Sequence, residues 1–495
     1  MRDVRRSRSQ GLGIIAPPRS IRAVTGALMA TIVVIGCGGV ATPTPSPLAT
    51  TTPGTIAVAV ATPSAAPTAV IGVIPTPSGT AEPSGSPVPP PGAETETLIA
   101  GYVATLQADP NDHDTKLLLG LAWYQLARET ADPTDYKKAD QAFDELLAAD
   151  PQNAEAMIGE ATIDLARHDF GGALALGNQA LALTQVSRVY GVIGDAETEL
   201  GMYDQAVQTV QTMVNVRPDL SSYSRVSYQR ELHGELDGAI SAMESAVEAG
   251  GPTTENVEYV RVLLGNLWFL KGDLDMAEAS YDASLAHAPD YVFALAGLAR
   301  VKAARGDLAG AITLYQQAAD RVPFPEFLIA LGETQEAAGD MTDAQSSYDY
   351  VRAIDALFKA NGVNTDIDIA LFESEHGNDP ASSVALARQA YAATPNVRAA
   401  DALAWSLYKD GQFAEARQYA ELSLAIGSLD PMYHFHAGMI ALAQGDTAQA
   451  RTWLTEALAM NPNFSPLYAP QAQAALDSLP PAASASPMPS GSAAP

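Results

Sequence analysis

Gly272-Asp273-Leu274-Asp275-Met276-Ala277 and, 34 residues on, Gly306-Asp307-Leu308-Ala309-Gly310-Ala311 are two copies of one phrase: a glycine, a polar residue, and an alanine five places after the glycine. The phrase returns at Gly201–Ala206, Gly234–Ala239, Gly339–Ala344, Gly411–Ala416 and Gly445–Ala450, with a weaker copy at Gly377. Successive glycines stand 33, 38, 34, 33, 38, 34 and 34 residues apart. A fixed period near 34 marks an array of helix-turn-helix units. Each position has a physical reason. The glycine lies just past a helical stretch, where a left-handed cap is cheap for glycine alone. The alanine stands where two helices approach closely. A larger residue four places further on shares its face: Phe143, Val210, Met243, Tyr281, Tyr315, Tyr348 and Leu454. Most units then close at a proline, which ends the helix: Pro151, Pro218, Pro289, Pro323, Pro395 and Pro462.

The array resembles the tetratricopeptide repeat (TPR) family. In the first helix of such a repeat, Leu-Gly is followed three residues later by an aromatic. Leu119-Gly120 with Trp123 and Leu264-Gly265 with Trp268 match this pattern, and Leu331-Gly332 and Ile193-Gly194 match in part. The second-helix alanine stands at Ala139, Ala173, Ala206, Ala239, Ala277, Ala311, Ala344, Ala416 and Ala450, with Ser383 in the weakest copy. About ten units result, over residues 112–462. The first has an insertion around Thr130–Asp135, and Pro380 opens the second helix of the eighth. Glu96–Asp109 and Pro470–Leu479 read as capping helices, so the solenoid spans 94–479. The resemblance implies an all-α, right-handed superhelical solenoid whose concave groove is lined by the first helix of each pair. Each unit is expected to contact only its neighbours.

The ends have a different composition. Residues 1–22 hold six arginines and one acid, and Ala23 to Gly36 then run without a charge. A basic stretch followed by a short apolar run is the pattern of a secretory signal, and it is short for a membrane span. The run ends Val34-Ile35-Gly36-Cys37, which resembles the lipobox of bacterial lipoproteins. That resemblance implies cleavage after a 1–36 signal peptide and lipidation of Cys37, the sole cysteine, so the localisation expected is the extracytoplasmic face of a bacterial membrane. Residues 37–93 are rich in Pro, Thr and Ser and read as a disordered tether; 480–495 read as a disordered tail.

Composition removes several function classes. The chain's 495 residues carry Lys+Arg 28 against Asp+Glu 57, a formal charge of -29. Nucleic acid is read by basic surface, so no nucleic-acid partner is expected. One cysteine rules out an internal disulfide. Signal, tether, tail and ten units consume nearly the whole chain, and no phosphate-loop, zincin or nucleophile-elbow motif occurs, so neither an enzyme nor a cofactor is expected. His434 and His436 lie two apart and face different ways on a helix, which argues against a metal site. Asn364, Asp366, Asp368 and Glu375 have calcium-loop spacing, but Ile369 stands where that loop needs glycine; the stretch reads as a helix start with acids favoured by the dipole.

The register places Tyr124, Tyr228, Asn266, Arg300, Phe372, Arg398, Trp405, Tyr408, Lys409, Phe435 and Met439 toward the groove. The candidate binding residues are Arg398, Trp405, Tyr408 and Lys409, with Arg300 and Asn266: cations interleaved with aromatics suit an extended acidic or peptide ligand. The expected function is a membrane-tethered scaffold that binds a protein or peptide in the cell envelope. The alternative is a non-catalytic accessory to polysaccharide synthesis or export.

Overall fold

The computed structural model describes residues 92–250 and 255–480. The signal, the lipobox and nearly all of the tether and tail lie outside the described residues. Among those described there are 22 α-helices and no strand. A capping helix α1 (Ala93–Ala108) leads into ten antiparallel pairs. Units one to three are α2 (His113–Thr130) with α3 (Thr134–Ala149), α4 (Ala154–Ala166) with α5 (Phe170–Leu181), and α6 (Ser187–Glu199) with α7 (Tyr203–Val216). Units four to six are α8 (Leu220–Leu232) with α9 (Leu236–Ala249), α10 (Glu255–Leu270) with α11 (Leu274–His287), and α12 (Val292–Ala304) with α13 (Leu308–Arg321). Units seven and eight are α14 (Pro325–Ala337) with α15 (Met341–Ala360) and α16 (Asp366–His376) with α17 (Pro380–Ala393). The last two are α18 (Val397–Lys409) with α19 (Phe413–Ser423) and α20 (Pro431–Ala443) with α21 (Thr447–Met460), followed by the cap α22 (Tyr468–Ser478).

The Gly-Asp pair makes the turn within a unit. Gly306 takes φ 83, and the next N–H, of Asp307, returns 2.9 Å to the carbonyl of Lys302, closing the first helix. The Asp307 carboxylate then accepts from the N–H of Gly310 and opens the second helix. Asp273, Asp340 and Asp446 do the same for α11, α15 and α21. In the first two units Ala131 and His168 hold the left-handed position instead. Gly377 does not: its φ is -91, and the turn there is made by an extended cap and Asp379. The second 38-residue step is absorbed by α15, twenty residues long. The calcium-like stretch is the start of α16, as its acids predict.

Each pair is bolted by the large second-helix residue. The ring of Tyr281 sits between Gly265 and Gly297 of consecutive first helices; a Cβ on either glycine would stand 2.5 or 2.4 Å from it. Phe143 is held the same way between Gly120 and Gly159. The recurrent alanines are fully buried, Ala139, Ala173, Ala206, Ala239, Ala277, Ala311, Ala344, Ala416 and Ala450 all at 0% exposure.

First helices lie inside. In α18 the buried residues include Val397 and an unbroken run from Ala399 to Leu407, whereas α19 buries only Ala416, Ala420 and Ser423. Consecutive first helices also pack directly on one another, α4 on α6 and α16 on α18 among them. The array curves toward them.

The curvature brings distant units together, which corrects the expectation of neighbour-only contact. The turn inside unit n meets the loop that precedes unit n+6. Ala131 of unit one is buried in the cluster of Val322, Phe324 and Phe327. The carbonyl of Arg167 in unit two accepts from the N–H of Asn364 at 2.9 Å. In unit three, Asn396 Nδ2 donates to the Glu199 carbonyl at 2.9 Å, and the N–H of Val397 donates to Tyr203 Oη at 2.9 Å. Gly234 of unit four lies against the Gly427 carbonyl. The carbonyl of Phe269 in unit five accepts from Asn461 Nδ2 at 2.7 Å. Five rungs in order form a seam between the first five units and the loops of the last four units and the cap.

Candidate functional site

The inner face is built from first helices of both halves. Arg398 on α18 pairs with Asp368 on α16 at 2.6 Å. About a fifth of its side chain remains exposed, yet desolvation is the largest influence on its charge, with Asp368 and Glu199 holding the proton on. Tyr228 of α8 reaches the Glu199 carboxylate at 3.4 Å, and burial, then Glu199, push its phenol well above the ordinary value. Burial pushes the Glu326 carboxyl up to about 8, with Asp368 adding and Arg398 opposing. Burial and then Asp430 push Glu231 up to about 7, while Arg300 opposes. Tyr433 of α20 is raised by burial and by Asp430 and Asp401. The interior is thus lined by tyrosines, carboxyls and a few arginines.

Five of the six candidate residues fall into two networks, and Arg398 pairs with Asp368 outside both. Arg300 donates to Asn266 Oδ1 at 2.5 Å and to Tyr281 Oη at 2.9 Å, and Tyr281 donates to the same Asn266 oxygen at 2.7 Å. Arg300 also lies over the Phe269 ring. In the second network Glu375 of α16 collects two partners: the Trp405 indole N–H at 2.6 Å and Lys409 Nζ at 2.7 Å. Tyr408 stacks on Trp405 from one side and His436 from another, at 4.6 and 4.1 Å between centroids. His436 is itself held by Asp401. Trp405 is 2% exposed. It fills the junction between α18 and α20, because the helix places it over Phe435 rather than over the groove. Tyr124, Phe372 and Phe435 are buried likewise; for these four aromatics the expectation of groove exposure is corrected. Asn266, Arg300, Arg398, Tyr408, Lys409, Met439 and Tyr228 keep part of their surface open.

Among the described residues no three His, Cys, Asp or Glu converge on a metal-sized point, and none of the helices is long and apolar enough to cross a membrane. His434 and His436 do face apart, toward Glu456 and Asp401.

A family model described as tetratricopeptide repeat matches residues 297–357 and 402–463. These segments are tetratricopeptide repeats. These matched segments span α12 to α15 and α18 to α21; units three to five repeat the same turn glycine and alanine, units one and two have Ala131 and His168 at the left-handed position, and unit eight has Ser383 in place of the alanine. Solved structures similar to this TPR array include a thermophilic TPR protein of Thermus thermophilus, at 24% identity and TM-score 0.34, covering 41% of this chain and 99% of that one. The Cut9–Hcn1 hetero-tetramer of APC/C matches at 14% identity and TM-score 0.31, covering 77% and 93%. YrrB, a TPR protein with an unusual peptide-binding site, matches at 16% identity and TM-score 0.26, covering 40% and 97%. No curated protein sequence matches the chain.

Sequence reasoning missed Glu199, Glu231, Glu326 and Tyr433 as lining residues of the TPR interior. It also missed Asn364, Asn396 and Asn461, which carry the seam. The signal available for the asparagines was their recurrence in the loops ahead of α16, α18 and α22.

Proposed function

We propose that this protein is an extracytoplasmic TPR scaffold, tethered to a bacterial membrane through lipid on Cys37, that holds a protein or peptide segment along its inner face. The TPR fold implies an interaction scaffold. The observation that carries the assignment to the inner face is the lining itself. Tyr228, Tyr433, Arg398 and Arg300, converging from α8, α20, α18 and α12, stay partly open, while the aromatics that merely join units are closed off. Tyr and Arg are the residue types that dominate interface energy. The carboxyls Glu231 and Glu326 favour a segment that brings peptide N–H groups or a basic side chain.

A photoreactive amino acid at Tyr228 or Tyr433, compared in whole cells with one at Tyr350 on the outer helix α15, tests the reading. Cross-linking of one discrete protein at the inner positions and not at Tyr350 supports it. Equal capture at all three, or capture of glycan that vanishes on muralytic digestion, overturns it in favour of an outer surface or of the polysaccharide alternative. Metabolic labelling with a palmitate analogue, lost in Cys37→Ser, tests the tether separately; unlabelled wild-type protein refutes the anchor.

A further inference from the structure

The seam poses a physical question that groove binding leaves open. A solenoid that touches itself every six units encloses its inner face, so an extended ligand cannot settle into it from the side. The turn glycines show how the closure is made. Gly201, Gly234, Gly272, Gly306, Gly339, Gly411 and Gly445 all take φ between 72 and 87. A Cβ on Gly201 would stand 2.6 Å from the carbonyl oxygen of Pro395, on Gly234 2.3 Å from that of Gly427, and on Gly272 3.0 Å from that of Met460. A Cβ on Gly306, Gly339, Gly411 or Gly445 would meet nothing within 4 Å. The same glycine in the same conformation is thus pressed against another turn of the array in units three to five and free in units six, seven, nine and ten.

The rungs also differ from the joints between neighbours. Neighbouring units share bolts such as Tyr281, buried between two helices. Rungs three to five rest on hydrogen bonds and glycine-to-carbonyl contacts, whose net contributions are individually small, whereas the first two rungs are backed by apolar clusters, Ala131 with Phe324 and Phe327 in one and Leu165 and Phe170 with Phe358 and Val363 in the other. Opposed carboxyls flank the fourth rung: Glu231 near the end of α8 and Asp430 at the cap of α20. Rungs three to five therefore lack the buried bolts of the joints between neighbours, and parting them leaves every helix pair intact.

We infer that the polar part of the seam is a latch: the turns of units three to five separate from the loops ahead of α18, α20 and α22 as one element, while the apolar first two rungs stay joined, and this opening admits the ligand to the inner face. The identity of the ligand rests on the function proposed above; the latch does not, because it is a property of the chain alone.

Two amides report on the seam, that of Val397 on the latch and that of Asn364 on the apolar rung behind it. The N–H of Val397, the first residue of α18, and that of Asn364, in the loop before α16, have their partners across the seam in Tyr203 Oη and the Arg167 carbonyl. Hydrogen exchange of the full-length protein at these amides reads seam opening, while amides inside α11 and α13 read unfolding. The test pair is Gly201→Ala with Gly234→Ala; the control pair is Gly306→Ala with Gly339→Ala. Both bear the same left-handed strain, and only the first pair collides across the seam. The expected result is at least about a tenfold loss of protection at Val397 in the test pair with a smaller loss at Asn364, a larger radius of gyration by X-ray scattering, and unchanged exchange in α11 and α13. The control pair should leave both amides protected. A second variant guards against misfolding: Asn396→Asp with Asn461→Asp keeps both oxygens as caps, to Ala399 and Asn463, and removes both donors to the seam, so it should give the same result. Equal loss in test and control pairs, loss spread through all helices, or full protection in all variants overturns the latch. None of these outcomes bears on whether a partner binds the inner face.

Discussion

The side-chain amide of Asn396 donates to the main-chain carbonyl of Glu199 across 197 residues of sequence, at 2.9 Å. The same asparagine caps α18 through Oδ1, which accepts from Ala399 at 2.8 Å. One residue therefore starts a helix and ties two turns of the array. Asn396→Asp should keep the first role and reverse the second, setting a carboxylate against a carbonyl and the Glu199 carboxyl, which burial already raises. Urea melts should show a loss of about 1–3 kcal/mol at pH 8, the cost of a buried group without its partner. Much of it should return at pH 5, where the new acid can take a proton. A loss that is independent of pH would place the damage in the helix cap.

Tyr281 supplies a local test. Gly297→Ala puts a methyl 2.4 Å from its ring, and overpacking of this kind costs about 1–3 kcal/mol. Tyr281→Phe should cost less than Gly297→Ala in thermal melts, since it keeps the ring and removes only the hydroxyl shared by Asn266 and Arg300. The reverse order would mean that the hydroxyl network, rather than the ring, holds the joint.

Stability should fall as pH rises above neutral. Burial pushes Glu160 and Glu326 up to about 8 and Glu231 to about 7, against an ordinary glutamate value of 4.5. Such groups hold a proton in the folded chain that the unfolded chain has already released, so their contribution is complete below about pH 4.5 and is lost as pH climbs through 7 and 8. Carboxylates held low by partners, such as Glu145 by Lys116 and Glu415 by Arg388, act in the opposite direction below about pH 4. The melting temperature should therefore peak in mildly acidic buffer and decline toward pH 9, and Glu326→Gln should flatten that decline. A profile that is flat from pH 5 to 9 would contradict the burial of these acids.

Trp405→Ala should act on stability. Its indole is 2% exposed, stacked between Tyr408 and His436 and bonded to Glu375, so its truncation should cost about 3–5 kcal/mol. Tyr228→Ala with Tyr433→Ala should instead reduce partner cross-linking at least about tenfold with a smaller change in melting. If the tyrosine pair proves as destabilising as Trp405→Ala, these rings are packing and the inner face is not the binding surface.

The helix pairs were legible because their requirements are local. A turn that needs a left-handed residue selects glycine, the next helix needs a cap and selects aspartate, and a tight crossing selects alanine, all within six residues. Which aromatics stay open was not legible: Trp405 and Tyr408 share a helix face by spacing, but only the position of α20 decides that the first is covered and the second is not. The seam left almost no periodic trace, since Asn364, Asn396 and Asn461 find their partners 192–197 residues away. Gly201 and Gly306 likewise look identical in sequence, although one is pressed against a backbone and the other is open.

The pairing of turn n with loop n+6 also limits how such a gene can change. Tandem arrays usually lengthen and shorten by whole repeats, because each copy asks only for a similar neighbour. Here each rung has its own chemistry: an amide on a carbonyl at Asn396, a phenol accepting a main-chain N–H at Tyr203, a bare glycine against a carbonyl at Gly234. Losing or duplicating the sixth copy, which all five rungs span, slides every rung onto a stranger, and none of the three would find its mate. Copies could still be added beyond either end. What the rungs hold fixed is the spacing of six between partners, not the total number of copies.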